Sequence, residues 1–315
     1  MKKIVVIGGG TGSFTVLRGL KKYPLDITAV ISMFDSGGST GMLRDEFGIL
    51  PPGDVRRGLL ALAQENGDNT LRELFNFRFE SDCSLHGHSF GNLFLMALTK
   101  ITGSDVAAIK KAGKLLNIKG KVLPVSIDHA HLGAELENGH TVVGETNIDV
   151  PKHDGNLKIK RVFIKPNARV YSETKEAIEH ADVIVIGPGD LYSSVIPNLL
   201  VEGVSEALQK SRAIKVYVCN LMTKWGETTQ FAVSDHVREI VRYAGCPIDY
   251  VICNNHEVKD KKLLHKYAEE KAYPVKVDDN ELQKIGIKVI KDNVMTEPVL
   301  IRHDSEKLAK ILVGL

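Results

Sequence analysis

The sequence predicts an α/β protein of the three-layer, Rossmann-like kind, in which a largely parallel sheet carries helices on both faces. Short β-branched runs (KIVVIG, ITAVISM, KVLPVSI, DVIVIG, IKVYVCN, DYVICNN and PVKV) alternate with amphipathic segments, the rhythm of strands joined by crossover helices. Three of the strand ends run into glycine-rich or glycine-and-hydroxyl-rich loops. With 315 residues, 43% of them hydrophobic, the chain is long enough to bury such a sheet.

The first strand, KIVVIG, stops in GGGTG, where Gly8, Gly9, Gly10 and Gly12 permit φ > 0 and let a ligand approach bare N–H groups. A helix follows in FTVLRGLKKY, whose orphan donors and dipole favour a phosphate on the turn. Ser13 stands where the dinucleotide fingerprint wants a third glycine, which weakens a nicotinamide or flavin reading. The second strand, DITAVISMFD, ends in Asp35 and SGGSTG. Asp35 is placed to take a ribose hydroxyl. The loop Ser36, Gly37, Gly38, Ser39 and Thr40 suits an oxyanion or a metal-bound phosphate better, or else caps a helix from Met42.

Residues 54–116 show helical periodicity without an obvious strand, a helical excursion between two sheet strands. Residues 131–166 change to short alternating strands, with ENG at Glu137 to Gly139 as a hairpin turn, a small β-rich insertion. No Pro-, Ser- or Gly-rich linker divides the chain, so residues 1–315 are expected to form a single domain. The third glycine-rich end is DVIVIGPGDLYSSVIPNLL, with Gly187, Pro188, Gly189, Asp190, Ser193 and Ser194, then a helix after Pro197. Loops at the carboxyl ends of parallel strands point to one crevice.

Composition narrows the function classes. Forty-one Lys and Arg against 39 Asp and Glu give a formal charge of +2, with no like-charge run for nucleic acid to bind. Cys83, Cys219, Cys246 and Cys253 form no CxxC pair and read as isolated thiols of a reducing compartment. The first apolar run, Ile4 to Ile7, is too short for a signal-peptide core, and no stretch spans a bilayer, so a cytoplasmic protein is expected. GxSxG, P-loop and HExxH signatures are absent, and spacing reveals no Ser–His or Cys–His constellation.

Other polar clusters have two readings each. In PPGDVRRG, Asp54 suits an N-cap, and Arg56 and Arg57 oppose the helix dipole, so they serve an anion or a solvated surface. The HxH pairs His86/His88 and His129/His131 lack further ligands at zinc spacing; His88 and Asn92 read better as crevice lining. NLMTKWGETT, Asn220 to Thr229, offers amide and hydroxyl groups that suit the edge of a base, or forms a plain loop.

The ordered set GGGTG, DSGGSTG, PPGDVRRG, GHSFGN, GPGDLYSSVIPNL and NLMTKWGETT, with YAEEKAYPVKVD and VLIRHDSEKLA, resembles the YvcK family of bacterial cytoplasmic proteins, called gluconeogenesis factors. That family lies in a wider group with the CofD-type transferases, which join a phospholactyl group to a deazaflavin precursor and release guanosine monophosphate. The resemblance implies binding of a UDP-sugar, UDP-N-acetylglucosamine in particular, and a role in cell shape and envelope synthesis on gluconeogenic carbon. By motif it implies a first loop of Gly9, Gly10, Thr11 and Gly12, with Thr11 on phosphate, and a second of Asp35, Ser36, Gly37, Gly38 and Ser39. Gly187, Gly189, Asp190, Leu191 and Ser193 would meet the diphosphate, Asn220 and Thr223 the base, and Tyr267 and Arg302 would close over the ligand. Ser36 departs from the asparagine usual in that family. No cofactor is required on this reading, and magnesium, at Asp35, is the one candidate ion. The expected partner is an envelope-synthesis or cytoskeletal protein, and self-association into a homo-oligomer is a further expectation; nucleic acid and membrane insertion are not expected. The rival reading is a magnesium-dependent CofD-type transferase, with Asp35 on the metal and Asp54 or Arg56 orienting an acceptor.

Overall fold

The structure, a computed structural model, describes residues 1–64, 69–80, 84–296 and 299–315. The first half runs β1 (Lys3–Gly8), α1 (Gly10–Leu20), β2 (Asp26–Ile31), α2 (Gly38–Phe47), α3 (Pro52–Leu62), α4 (Thr70–Asn76), α5 (Phe90–Thr102), α6 (Asp105–Leu115) and β3 (Lys121–Pro124). An insertion follows: β4 (His131–Leu136), β5 (Thr141–Val143), α7 (Glu145–Asp149) and β6 (Ile159–Lys165). Then come α8 (Ser172–Glu179), β7 (Val183–Ile186), a π-helical turn at Leu191–Val195 leading into α9 (Ile196–Leu199), α10 (Val204–Lys210), β8 (Ile214–Val218), α11 (Val233–Ala244) and β9 (Tyr250–Asn254). The chain ends with α12 (Lys261–Glu269), α13 (Asp279–Ile285), β10 (Lys288–Asp292), β11 (Met295–Thr296), β12 (Arg302–His303) and α14 (Ser305–Gly314).

Seven parallel strands form the main sheet in the order β10-β9-β8-β7-β1-β2-β3. The central strands β1 and β7 are buried on both faces, which is why IVVI and VIVI read as unbroken apolar runs. Two helical groups cover the sheet: α1 with α3 and α14, and α10 with α8 and α11. Strand order reverses between β1 and β7, so a crevice must open outside their carboxyl ends, the place where open α/β sheets bind ligands. The insertion is a separate antiparallel sheet, β5-β4-β6, with the hairpin turn at 137–140 closed by His140 N–H on Asn138 Oδ1. Helix starts follow capping chemistry where a side chain supplies it: Ser89 opens α5, Ser104 α6, Asp260 α12 and Asp304 α14.

Several boundaries differ from expectation. Helix α1 begins at Gly10, four residues before Phe14, so Thr11 and Gly12 lie in its first turn. Helix α2 begins at Gly38 rather than Met42; its N-cap is Gly37, and Ser39 and Thr40 lie inside the helix. Asp54 is not an N-cap: Pro51 holds that place, and Asp54 sits in the first turn of α3, where a carboxylate favours the dipole. Helical structure after β7 starts at Leu191, ahead of Pro197. PVKV is no strand; it lies along the 220s loop, with Thr223 N–H on Tyr273 O at 2.7 Å and Val275 N–H on Leu221 O at 3.0 Å. The edge strand is KVIKD (β10), half-exposed and charged at the sheet margin, a pattern too short to stand out from loop. Cys219, Cys246 and Cys253 are free and buried, and Cys83 lies outside the described residues. Among the described residues no helix is long and apolar enough to cross a membrane.

Candidate functional site

A cleft of about 440 Å³ opens where the loops after β1, β2 and β7 meet. Loop one enters it through Gly9 and Gly10. Gly10 has φ +63°, a left-handed conformation that an L side chain resists, and its N–H points at the Asp54 carboxylate. Gly12 touches loop three directly, for any Cβ there would fall on the Pro188 carbonyl. Loop two turns on Asp35, whose Oδ1 accepts the Gly37 N–H at 2.9 Å. The Ser36 hydroxyl accepts the Thr146 N–H and lies 3.1 Å from the Thr146 hydroxyl, tying loop two to α7 of the insertion.

Loop three is braced from beneath by Glu227. Its buried carboxylate accepts the N–H groups of Tyr192 (2.8 Å) and Ser193 (3.1 Å) and the Ser193 hydroxyl (2.8 Å). Lys224 joins three segments at one ammonium, pairing with Asp149 of α7, Asp190 of loop three at 2.9 Å and Glu227 at 3.4 Å. Asp149, Asp190 and Glu227 are the one group among the described residues that brings three ligand atoms within 4.8 Å of one another, and Lys224 already holds it. Neither HxH pair belongs to such a group.

The cleft is lined by charges of both signs. Burial, then Asp35, raises the Asp54 carboxyl to about 6, against the opposing pull of Arg57 with Nη1 at 3.5 Å. Burial, then Asp35 and Asp149, raises Glu145 to about 8. Arg56, Arg57 and Arg78 also line the cleft. The Arg56 guanidinium is buried and donates to Asn92 Oδ1 at 3.0 Å and Phe75 O at 3.2 Å, which holds it in the wall. Burial lowers its pKa to about 10, with Arg57 and Arg78 adding to the effect. For magnesium, the Asp35 carboxylate on the cleft wall suits a hard cation that keeps waters and takes one or two carboxylates plus phosphate oxygens.

A smaller groove of about 190 Å³ adjoins the cleft and shares Thr11, Gly12, Gly189 and Asp190 with it. Asn220, Met222, Tyr267 and Arg302 form its far side. The Asn220 amide donates to Gly189 O at 2.8 Å. The Tyr267 hydroxyl accepts the Ile301 N–H at 3.1 Å, and the His303 imidazole lies 3.1 Å from Cys219 O, so both fix the hairpin that carries Arg302. Burial lowers the His303 pKa to about 4, which keeps that ring neutral.

Of the residues singled out in the sequence, Gly9, Gly10, Thr11, Gly12, Asp35, Gly37, Gly38, Ser39, Asp54, Arg56, Gly189, Asp190 and Ser193 line the cleft, and Asn220, Tyr267 and Arg302 the groove. Four line neither. Ser36 faces Thr146; Gly187 lies behind the loop with its N–H on Ile7 O; Leu191 is core; Thr223 is buried with its hydroxyl accepting the Tyr273 N–H. Sequence reading missed Arg78, Glu145, Thr146 and Asp149 of the cleft.

Glu145 has a measurable consequence. Its folded carboxyl holds a proton up to about pH 8, whereas the unfolded chain releases it near the ordinary value of 4.5, so wild-type stability falls relative to Glu145→Gln as pH rises through that window. Denaturant unfolding of both proteins at pH 5, 7 and 9 is expected to show a difference that grows from pH 5 to pH 9. A constant difference would mean that Glu145 titrates normally.

A family model for CofD, 2-phospho-L-lactate transferase, matches residues 4–295. A putative gluconeogenesis factor of Clostridium acetobutylicum is 46% identical, over 99% of this chain and 69% of its own. The gluconeogenesis factor of Bacillus subtilis is 44% identical over 99% of this chain and 98% of its own. A crystal structure of a protein from Bacillus halodurans matches with a TM-score of 0.94 at 44% identity, covering 99% of each chain. With its seven-stranded switch-point sheet and three converging loops, the chain belongs to the CofD-like family and, within it, to the gluconeogenesis factors of the YvcK type.

Proposed function

We propose that the chain is a cytoplasmic regulatory protein that binds a UDP-sugar, UDP-N-acetylglucosamine foremost, and passes that signal to an envelope-synthesis or cytoskeletal partner in the control of cell shape. One observation carries the reading: two hollows, one charged and one mixed, share the ridge of Thr11, Gly12, Gly189 and Asp190. A diphosphate over that ridge puts one end of the ligand in each hollow. Asn220 and Arg302 meet the nucleotide from the groove, and the acid- and arginine-lined cleft takes the sugar. The incomplete fingerprint at Ser13 argues against NAD or FAD.

Bound ligand stabilises by RT ln(1 + [L]/Kd), about 2.7 kcal/mol at a hundredfold excess over Kd. UDP-N-acetylglucosamine is expected to raise the melting temperature and NAD to leave it unchanged. A shift with NAD and none with any UDP-sugar overturns the reading. Arg302 is exposed, and a guanidinium fork suits a phosphate. Arg302→Ala is therefore expected to weaken the UDP-sugar by about one to two decades, at about 1.5–3 kcal/mol for a charged hydrogen bond. Free uridine is expected to be spared; equal losses for the two ligands would argue against a phosphate contact.

The Asp35 and Asp54 pair favours a second reading, a transferase of the CofD type. Magnesium bound at Asp35 would neutralise diphosphate charge, and Asp54 or Arg56 would orient the acceptor. Phosphorus NMR of protein, magnesium and UDP-N-acetylglucosamine separates the two: intact ligand supports the regulatory reading, and uridine monophosphate released above an Asp35→Asn control supports transfer.

A further inference from the structure

Spacing in the sequence gives no sign of a Ser–His pair, yet folding builds one across 49 positions. Ser39 Oγ lies 3.0 Å from His88 Nδ1, with Ser39 on the wall of the cleft and His88 outside its lining. A chain of donors fixes which way the protons run. Arg56 has no acceptor, so its Nε donates to Asn92 Oδ1 at 3.0 Å. The Asn92 amide nitrogen is thereby turned to Ser39 and donates to its Oγ at 3.3 Å. His88 Nδ1 is then the acceptor that the structure offers the Ser39 hydroxyl among the described residues. Arg56 and Asn92, both buried, hold this direction in place.

Two further features serve the group that this oxygen would attack. Ser39 lies in the first turn of α2, where the N–H groups of Gly38, Ser39 and Thr40 have no intrahelical acceptor, the first such bond being Gly41 N–H to Gly37 O at 2.9 Å. Those donors border the cleft, as do Arg57 and Arg78, and together they suit the charge that develops on an attacked phosphoryl group.

We propose that Ser39 is an activated nucleophile with His88 as its base, and that the cleft takes an electrophilic phosphorus, a phosphoric anhydride or its analogue, against loop two. In the step, Ser39 Oγ forms a bond to phosphorus and the bond from phosphorus to the leaving group breaks. The electron pair departs with the leaving oxygen, and the Ser39 proton passes to His88 Nδ1. This goes beyond ligand binding: the phosphorus attacked belongs to a second ligand seated against loop two and not to the diphosphate on the ridge, so the step does not depend on which nucleotide sugar the ridge accepts.

The test uses an alkyl fluorophosphonate as probe, so that fluoride leaves in place of a phosphate. Intact mass and peptide mapping of the full chain are expected to show one phosphonyl adduct on Ser39, and none there in Ser39→Ala. His88→Gln keeps a hydrogen-bond acceptor but cannot take the proton, and labelling is expected to slow about a hundredfold. Circular dichroism confirms that each variant is folded. If His88→Gln does not fold, the adduct on wild-type Ser39 and its rate relative to free serine decide. Absence of an adduct on Ser39, or equal rates in wild type and a folded His88→Gln, would overturn the proposal. Labelling at Ser39 without any UDP-sugar binding would overturn the regulatory reading and leave this one standing.

Discussion

Replacing Lys224 with methionine is expected to cost about 3–5 kcal/mol of folding stability at pH 8 and markedly less at pH 5. The ammonium faces Asp149, Asp190 at 2.9 Å and Glu227 at 3.4 Å, and it is three-quarters buried with 26% of its side chain exposed. Breaking a buried pair from one side leaves charge without compensation, and here three carboxylates within 4.8 Å would face one another. Even with the lysine present, burial raises Glu227 to about 7 and lifts Asp190 above its ordinary value. Methionine pushes both higher still. A carboxyl whose folded pKa exceeds its unfolded one loses stability as pH rises from the unfolded value through the folded value, so the penalty grows above pH 5. Glu227 also carries Tyr192 and Ser193, so its protonation loosens loop three. Urea unfolding at the two pH values measures this. A loss below about 1 kcal/mol at both, the range of surface ion pairs, would mean that the three segments are held together by other contacts.

The frame of the molecule was legible in the sequence because its causes are local. A strand buried on both faces must be apolar at every position, as IVVI and VIVI are, and a loop that packs backbone on backbone needs glycine, as Gly12 does against Pro188. Helix starts were misread where glycine cap positions offer no capping side chain, as at Gly9 and Gly37. The missed cleft residues come from distant segments. Glu145 and Asp149 arrive on a one-turn helix in the insertion, and Arg78 from the helical excursion, so only tertiary packing says where they point. Ser39 and His88 are the sharpest case: GGST and GHS were both visible as polar motifs, and the bond between them was not, since α2 and the turn before α5 have no spacing in common. Leu191 shows the converse. It stands inside a motif whose neighbours line the cleft, yet the π-helical turn directs it into the core.

Gly12→Ala is expected to lower UDP-sugar affinity by about two decades and to destabilise the fold by about 1–3 kcal/mol, the usual range for overpacking. The added methyl would fall on the Pro188 carbonyl, 2.5 Å from its carbon and 2.9 Å from Gly189 N. These are backbone atoms, so no side chain can swing aside. Loop one and loop three must separate, and with them Thr11 and Asp190, which border both hollows. Gly10→Ala is the informative control. There φ is +63°, and the nearest atom to a Cβ is Arg57 Nη1 at 3.6 Å, an ordinary contact, so the cost is local strain of about 1–2 kcal/mol without any displacement of loop three. Calorimetric titration with UDP-N-acetylglucosamine, paired with unfolding of each variant, separates steric opening from strain. Greater loss of affinity in Gly12→Ala than in Gly10→Ala fits a diphosphate laid over the ridge. The reverse order, with Gly12→Ala binding as the wild type does, would move the phosphates off that ridge and onto the Gly10 turn.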